Sequence, residues 1–161
     1  MFSFQRAFTG LRTFPSHRGW LESVGYAAFV IAAAVVIAPS MVEMSQRPPL
    51  NELIRVGAIA FFIPSLAEEV VFRGLLLPEV SPPWILLSLS AYVLWHPVEA
   101  LTFLPEAAAI FLDVQFLLIV IMLGALCTVA YIRTGSLWAS VCIHWWVVVA
   151  WKATGGGGFF V

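Results

Sequence analysis

The chain has 161 residues, 61% of them hydrophobic and 11% charged, with a net charge of −1. A soluble domain averages roughly 45–50% apolar and about 25% charged residues, so an ordinary water-soluble domain is excluded. The lack of a basic excess argues against a nucleic-acid partner.

What remains is an all-α, polytopic helical bundle in a lipid bilayer, forming one compact domain with about five transmembrane spans. Residues 1–19 carry Arg6, Arg12, His17 and Arg18 and read as a basic cytoplasmic segment, a mobile tail with orientation charge. The alternative is a short amphipathic helix resting at the interface on Phe2, Phe4, Phe8, Leu11 and Phe14. No compact apolar core with a small-residue cleavage site follows the charged start, so no removable signal peptide is expected. The membrane-embedded part covers residues 20–152. Its first span runs from about Gly19 to Pro39, and Pro48-Pro49 interrupts the connector between Met41 and Asn51. Glu52 to Leu77 forms a second span, bent at Pro64 because proline removes a backbone hydrogen bond.

A turn at Pro78–Pro83 leads to a short third span, Trp84 to His96. It is expected to end at Pro97, since the residue before a proline is pushed from helical geometry. Residues 98–112 then read as a connector or re-entrant segment. Val114 to Ile132 is the fourth span, closed by Arg133 and the Thr134-Gly135 turn, and Ser136 to Trp151 is the fifth. Residues 153–161 form a flexible Gly-rich tail, and no internal repeat is visible. The arginines before the first span place the N-terminus in the cytoplasm by the positive-inside rule, with the Pro78–Pro83 turn and Arg133 on the same side. Cys127 and Cys142 lie in apolar runs without metal-type spacing and read as packing residues.

Ionisable side chains deep in spans are functional candidates, because a charge at the bilayer centre costs roughly 2.5–3.5 kcal/mol on insertion scales. Five qualify: Glu68, Glu69, Arg73, His96 and His144. Glu69 and Arg73 are four residues apart on one helical face and can pair. Glu68 points about 100° away, is left without that partner, and is the candidate general base for water activation. The bland alternative is a buried ion-pair network that only fixes packing. Neutral imidazoles at His96 and His144 can accept a proton, bind a metal or donate to an oxyanion.

Glu68-Glu69-x-x-x-Arg73, then Tyr92-x-x-x-His96, then His144, roughly 25 and 50 residues on, resemble the CAAX prenyl protease 2 and bacteriocin-processing (CPBP, or Abi) family of intramembrane endopeptidases. The resemblance covers about residues 50–152. It implies that Glu68 and His96 activate the attacking water and that His144 helps bind the developing oxyanion. The pattern departs from the family twice: Tyr92 stands where Phe is usual, and Val148 where Asn or Asp is usual. Losing an oxyanion donor costs about 10²–10³ in rate, so either another donor substitutes or the chain is weak or inactive.

The expected function is therefore an intramembrane endopeptidase acting on a membrane-associated peptide or protein, CAAX-type substrates included. The alternative is a non-catalytic membrane scaffold of the same family. A zinc version with Glu68, Glu69, His96 and His144 as ligands fits the residue types, but the His-Glu-x-x-His signature is absent. No Gly-x-Ser-x-Gly elbow supports a serine mechanism, and the lack of a repeat argues against a transporter.

Overall fold

The computed structural model describes residues 3–41 and 47–155. Most of the tail at 153–161, Phe2 and the middle of the first connector lie outside the described residues. Eight α-helices follow one another among those described: α1 (Phe4–Arg12), α2 (His17–Ile37), α3 (Leu50–Ala60), α4 (Ala67–Glu69), α5 (Pro82–Thr102), α6 (Ala108–Phe111), α7 (Val114–Thr134) and α8 (Leu137–Ala153). Three of them, α2, α5 and α7, are long and apolar enough to cross a membrane. The shorter apolar α8 and the broken run from Leu50 to Leu75 complete the bundle.

Helices α7 and α8 form the centre. Their turn is built for the purpose: Gly135 ends α7 at φ +66°, a left-handed conformation that only glycine adopts cheaply, and the Ser136 hydroxyl then caps α8. Helix α2 packs on both through small side chains, Ala27, Cys127, Ala130 and Ala139, with Val30, Leu123 and Ile143 filling between them. Between spans, where lipid is as apolar as the packing itself, small residues promote association by letting backbones approach closely. Both cysteines are free, and Cys127 is buried in this seam. Helix α5 lies on the other side of α7, with Phe72, Tyr92 and Val120 between them.

The N-terminal segment takes the form of the amphipathic helix rather than the mobile tail. Ser3 caps α1, Phe4 and Phe8 face outward, and Ala7 and Gly10 pack inward. A Cβ added to Gly10 would lie 2.9 Å from Leu137 Cγ, so only glycine admits this contact. Arg6 Nε donates to the Tyr131 hydroxyl, and Trp138 Nε1 donates to the Leu11 carbonyl. At the same end of the bundle Arg133 and Arg18 both pair with Glu22.

The third span is longer than expected. Helix α5 continues through Pro97 to Thr102 instead of stopping at His96. Proline's fixed φ suits a helix, and it forfeits a single backbone bond, the one its missing N–H would make to the Val93 carbonyl one turn earlier, a local cost that packing further along can offset. Here Ala100 packs against Ala107 and Phe111. The connector is correspondingly short, with α6 folded back on α5.

Candidate active site

The site is built on the broken run between α3 and Pro78. Ile63 leaves helical geometry (φ −134°, ψ 115°), and its peptide bond to Pro64 is cis. The Ala67 N–H then reaches the Phe62 carbonyl five residues back, and the Leu76 N–H reaches Val71 in the same way. Such wide turns are rare within helices and concentrate at functional sites. Between them, the single α-turn Ala67–Glu69 presents two glutamates to the bundle interior. Trp145 Nε1 donates to the Gly57 carbonyl before the break (2.7 Å), and Ser88 Oγ to the Phe72 carbonyl after it (2.6 Å). The bend the sequence placed at Pro64 is therefore present and is anchored on both sides.

Glu69 and Arg73 form the pair expected from their spacing, at 3.1 Å, and both side chains are fully buried. The guanidinium is held twice more: its Nη2 donates to the Gly124 carbonyl at 2.8 Å, and its carbon lies 4.3 Å above the Tyr92 ring. Gly124 makes this possible. A Cβ there would meet the Tyr92 ring at 2.7 Å. Neither Gly124 nor the aromatic face could be read as a partner of Arg73 from spacing, since both come from other helices.

The same Glu69 oxygen, Oε1, also contacts His144 Nδ1 at 3.0 Å. An ionised carboxylate only accepts, so Nδ1 carries a hydrogen, and the other ring nitrogen faces Glu68 Oε2 at 4.0 Å. Glu68 Oε2 is buried and has no hydrogen-bond partner among the described residues. His96, on α5, directs Nδ1 at the Tyr92 carbonyl (3.2 Å), which again only accepts. In neutral His96 the lone pair therefore sits on Nε2. The ring is fixed edge-on among Tyr92, Phe111 and Phe116.

Glu68, Tyr92, His96, His144 and Val148 all line one cavity of about 310 Å³, which is otherwise largely apolar. The structure thus gathers all five sequence candidates at or directly behind one cavity wall: Glu68, His96 and His144 face it, while Glu69 and Arg73 support them from behind. Three polar lining residues, Glu99, Lys152 and Thr154, were missed. Glu99 sits one turn after His96 on the same helix, a placement hidden by ending that helix at Pro97. Among the described residues no three His, Cys, Asp or Glu side chains form a group that could hold a metal ion.

No curated protein and no solved structure gives a match to the chain. A protein-family model does: residues 50–150, which hold the broken run, α5, α7 and nearly all of α8, match the type II CAAX prenyl endopeptidase, Rce1-like, family. With the matching segment covering most of the chain and containing Glu68, Glu69, Arg73, Tyr92, His96 and His144, the protein belongs to this family of membrane-embedded proteases.

Proposed function

We propose that the chain is an intramembrane endopeptidase that hydrolyses peptide bonds of membrane-associated substrates, CAAX-type C-termini among them, with water activated by Glu68 and His96. The observation that carries this reading is the Glu68 carboxyl group on the cavity wall, whose Oε2 has no hydrogen-bond partner among the described residues. A carboxylate oxygen without a protein donor, beside imidazoles whose outward nitrogens are lone-pair acceptors when neutral, is a set of proton acceptors waiting for a proton source. A water bound there gives its proton to Glu68 as its oxygen attacks the substrate carbonyl. His96 shares in orienting that water. Glu69, held by Arg73, fixes the His144 ring toward the reacting atoms. The proton returns through Glu68 to the leaving amine when the C–N bond breaks.

The donor set favours a reaction carried by side chains alone, because Glu69 is already engaged by both Arg73 and His144. The basic N-terminal end, where α1 and the α7–α8 turn meet, is proposed to face the cytoplasm.

One observation favours the scaffold alternative: Val148, one turn beyond His144, presents no hydrogen-bonding side chain to the cavity. Glu68→Gln separates the two readings. The purified protein in vesicles is given a quenched, prenylated peptide ending in a Cys-a-a-X sequence. Cleavage by wild type and its loss in a folded Glu68→Gln variant is expected. Equal cleavage by both, or none by either together with an unchanged cellular phenotype, removes the protease mechanism.

A further inference from the structure

The cavity extends well past the three reactive side chains. Helices α5 and α8 run in the same direction: Trp84 and Leu137, near their starts, share one apolar cluster, and Ala100 and Trp151, near their ends, share another. One cavity wall follows α8 from His144 to Thr154, away from the end where α1 packs on Leu137. Between its two ends that wall is apolar, made by Val147, Val148 and Trp151, with Ile119 and Val120 of α7 also lining the space.

Near the far end stands Lys152, the one Lys or Arg among the described residues that line the cavity. Its side chain is half-buried, and its ammonium lies 5.2 Å from the centre of the Trp151 ring, itself part of the lining. Ionisable side chains placed inside spans mark ligand pathways, and a cation in an apolar enclosure selects an anionic group. Two other polar residues line the same half. The Thr154 hydroxyl donates to the Trp151 carbonyl and is committed to its own helix. Glu99 lies about 5 Å beyond His96 along α5, whereas Lys152 lies about 12 Å beyond His144 along α8. The two charges thus stand at different levels, and like charge keeps an anion away from the level of Glu99.

The spacing identifies the anion. Three extended peptide residues reach about 10 Å. An ammonium–carboxylate contact adds about 3 Å. A peptide whose scissile carbonyl lies beside Glu68 and His144 therefore brings its C-terminal carboxylate to Lys152 when three residues follow the cut. The apolar wall between them suits apolar side chains at the intervening positions.

We infer that Lys152 binds the free C-terminal carboxylate of the substrate and so measures three residues from the cleaved bond to the end of the chain. The inference rests on the proposed protease reading and gives that site a selection rule: it takes a chain terminus in preference to an internal segment. Lys152 makes and breaks no bond. Its contact is the same in the ground state and the transition state, so it acts on KM and leaves kcat nearly unchanged.

The test uses two prenylated Cys-a-a-X peptides in vesicles, identical except that one ends in the free acid and the other in the amide. Wild type is expected to show a KM for the acid at least about tenfold below that for the amide, with similar kcat. Lys152→Met is expected to abolish the preference by raising KM for the acid alone, and Lys152→Arg to keep most of it. Dissociation constants of both peptides on folded Glu68→Gln, with and without Lys152→Met, read the same contact without chemistry. Equal KM for acid and amide in wild type, or a preference that survives Lys152→Met, overturns the assignment. So does an equal loss on both peptides, which a lipid phosphate or a packing role at Lys152 would give. If wild type cleaves neither peptide, or Glu68→Gln cleaves like wild type, the protease reading itself fails, and the dissociation constants still decide whether Lys152 holds the carboxylate. If Glu68→Gln is inactive and binds acid and amide alike, only the role of Lys152 falls.

Discussion

Replacing Arg73 by methionine tests whether the site is held up by its buried charges. The substitution keeps an unbranched stem but deletes three contacts: the 3.1 Å bond to Glu69, the 2.8 Å bond to the Gly124 carbonyl and the guanidinium stacked at 4.3 Å on Tyr92. Removing one partner of a buried ion pair costs about 3–5 kcal/mol, mostly because the other charge is left uncompensated. Glu69 still has His144 Nδ1 at 3.0 Å, which places the expected loss near the lower end, about 3 kcal/mol. Glu69→Gln/Arg73→Met removes both charges and is expected to regain most of that loss, since exchanging a whole buried pair for neutral groups is often close to neutral. Cys127 provides the readout: it is buried in the α2–α7–α8 seam, so a thiol-reactive fluorophore reports unfolding in detergent. An Arg73→Met variant that unfolds at the wild-type midpoint, or a double variant no more stable than the single, would refute the reasoning.

Gly124→Ala puts a methyl 2.7 Å from a Tyr92 ring carbon that has nowhere to retreat. Overpacking of about 1–3 kcal/mol is offset by about 1 kcal/mol of helix propensity, so the unfolding midpoint falls little while peptide cleavage falls strongly as Tyr92 and His96 shift. Cleavage at the wild-type rate would show that their placement does not matter. Exhaustive chelation, checked by elemental analysis of the treated protein, is expected to leave cleavage intact. Activity lost on chelation and restored by zinc would return the metal mechanism to contention.

The sequence made the charge problem plain, because two carboxylates and a guanidinium within six residues have no cheap place in hydrocarbon. It also revealed the Glu69–Arg73 pair, since a four-residue spacing is a property of one helix. It did not reveal that Glu69 is shared with His144, 75 residues away, nor that Arg73 ends on the Gly124 carbonyl. Those partners are set by how helices pack, not by spacing within one. Pro97 misled because its cost is one local hydrogen bond, whereas the continuation of α5 is decided by Ala100 against Ala107 and Phe111. The helix α1 was visible as a pattern of aromatics. What fixes it is two glycines, Gly10 and Gly74, whose missing side chains leave room for Leu137 and Ala7.

The two wide turns flanking Ala67–Glu69 have a consequence for the phase of the helix. The second takes in one residue more than an α-turn, about 100° of rotation, while the first spans a break in which Ile63 leaves helical geometry and re-aims the chain. The glutamates therefore look in a direction that neither α3 nor the chain leading to Pro78 would assign them. Deleting one residue from the helical stretch between Pro64 and Glu68 would leave both carboxylates chemically intact and rotate them about 100° relative to the break. Which helices Glu68 and Glu69 address is thus written in the count of residues as much as in their kind.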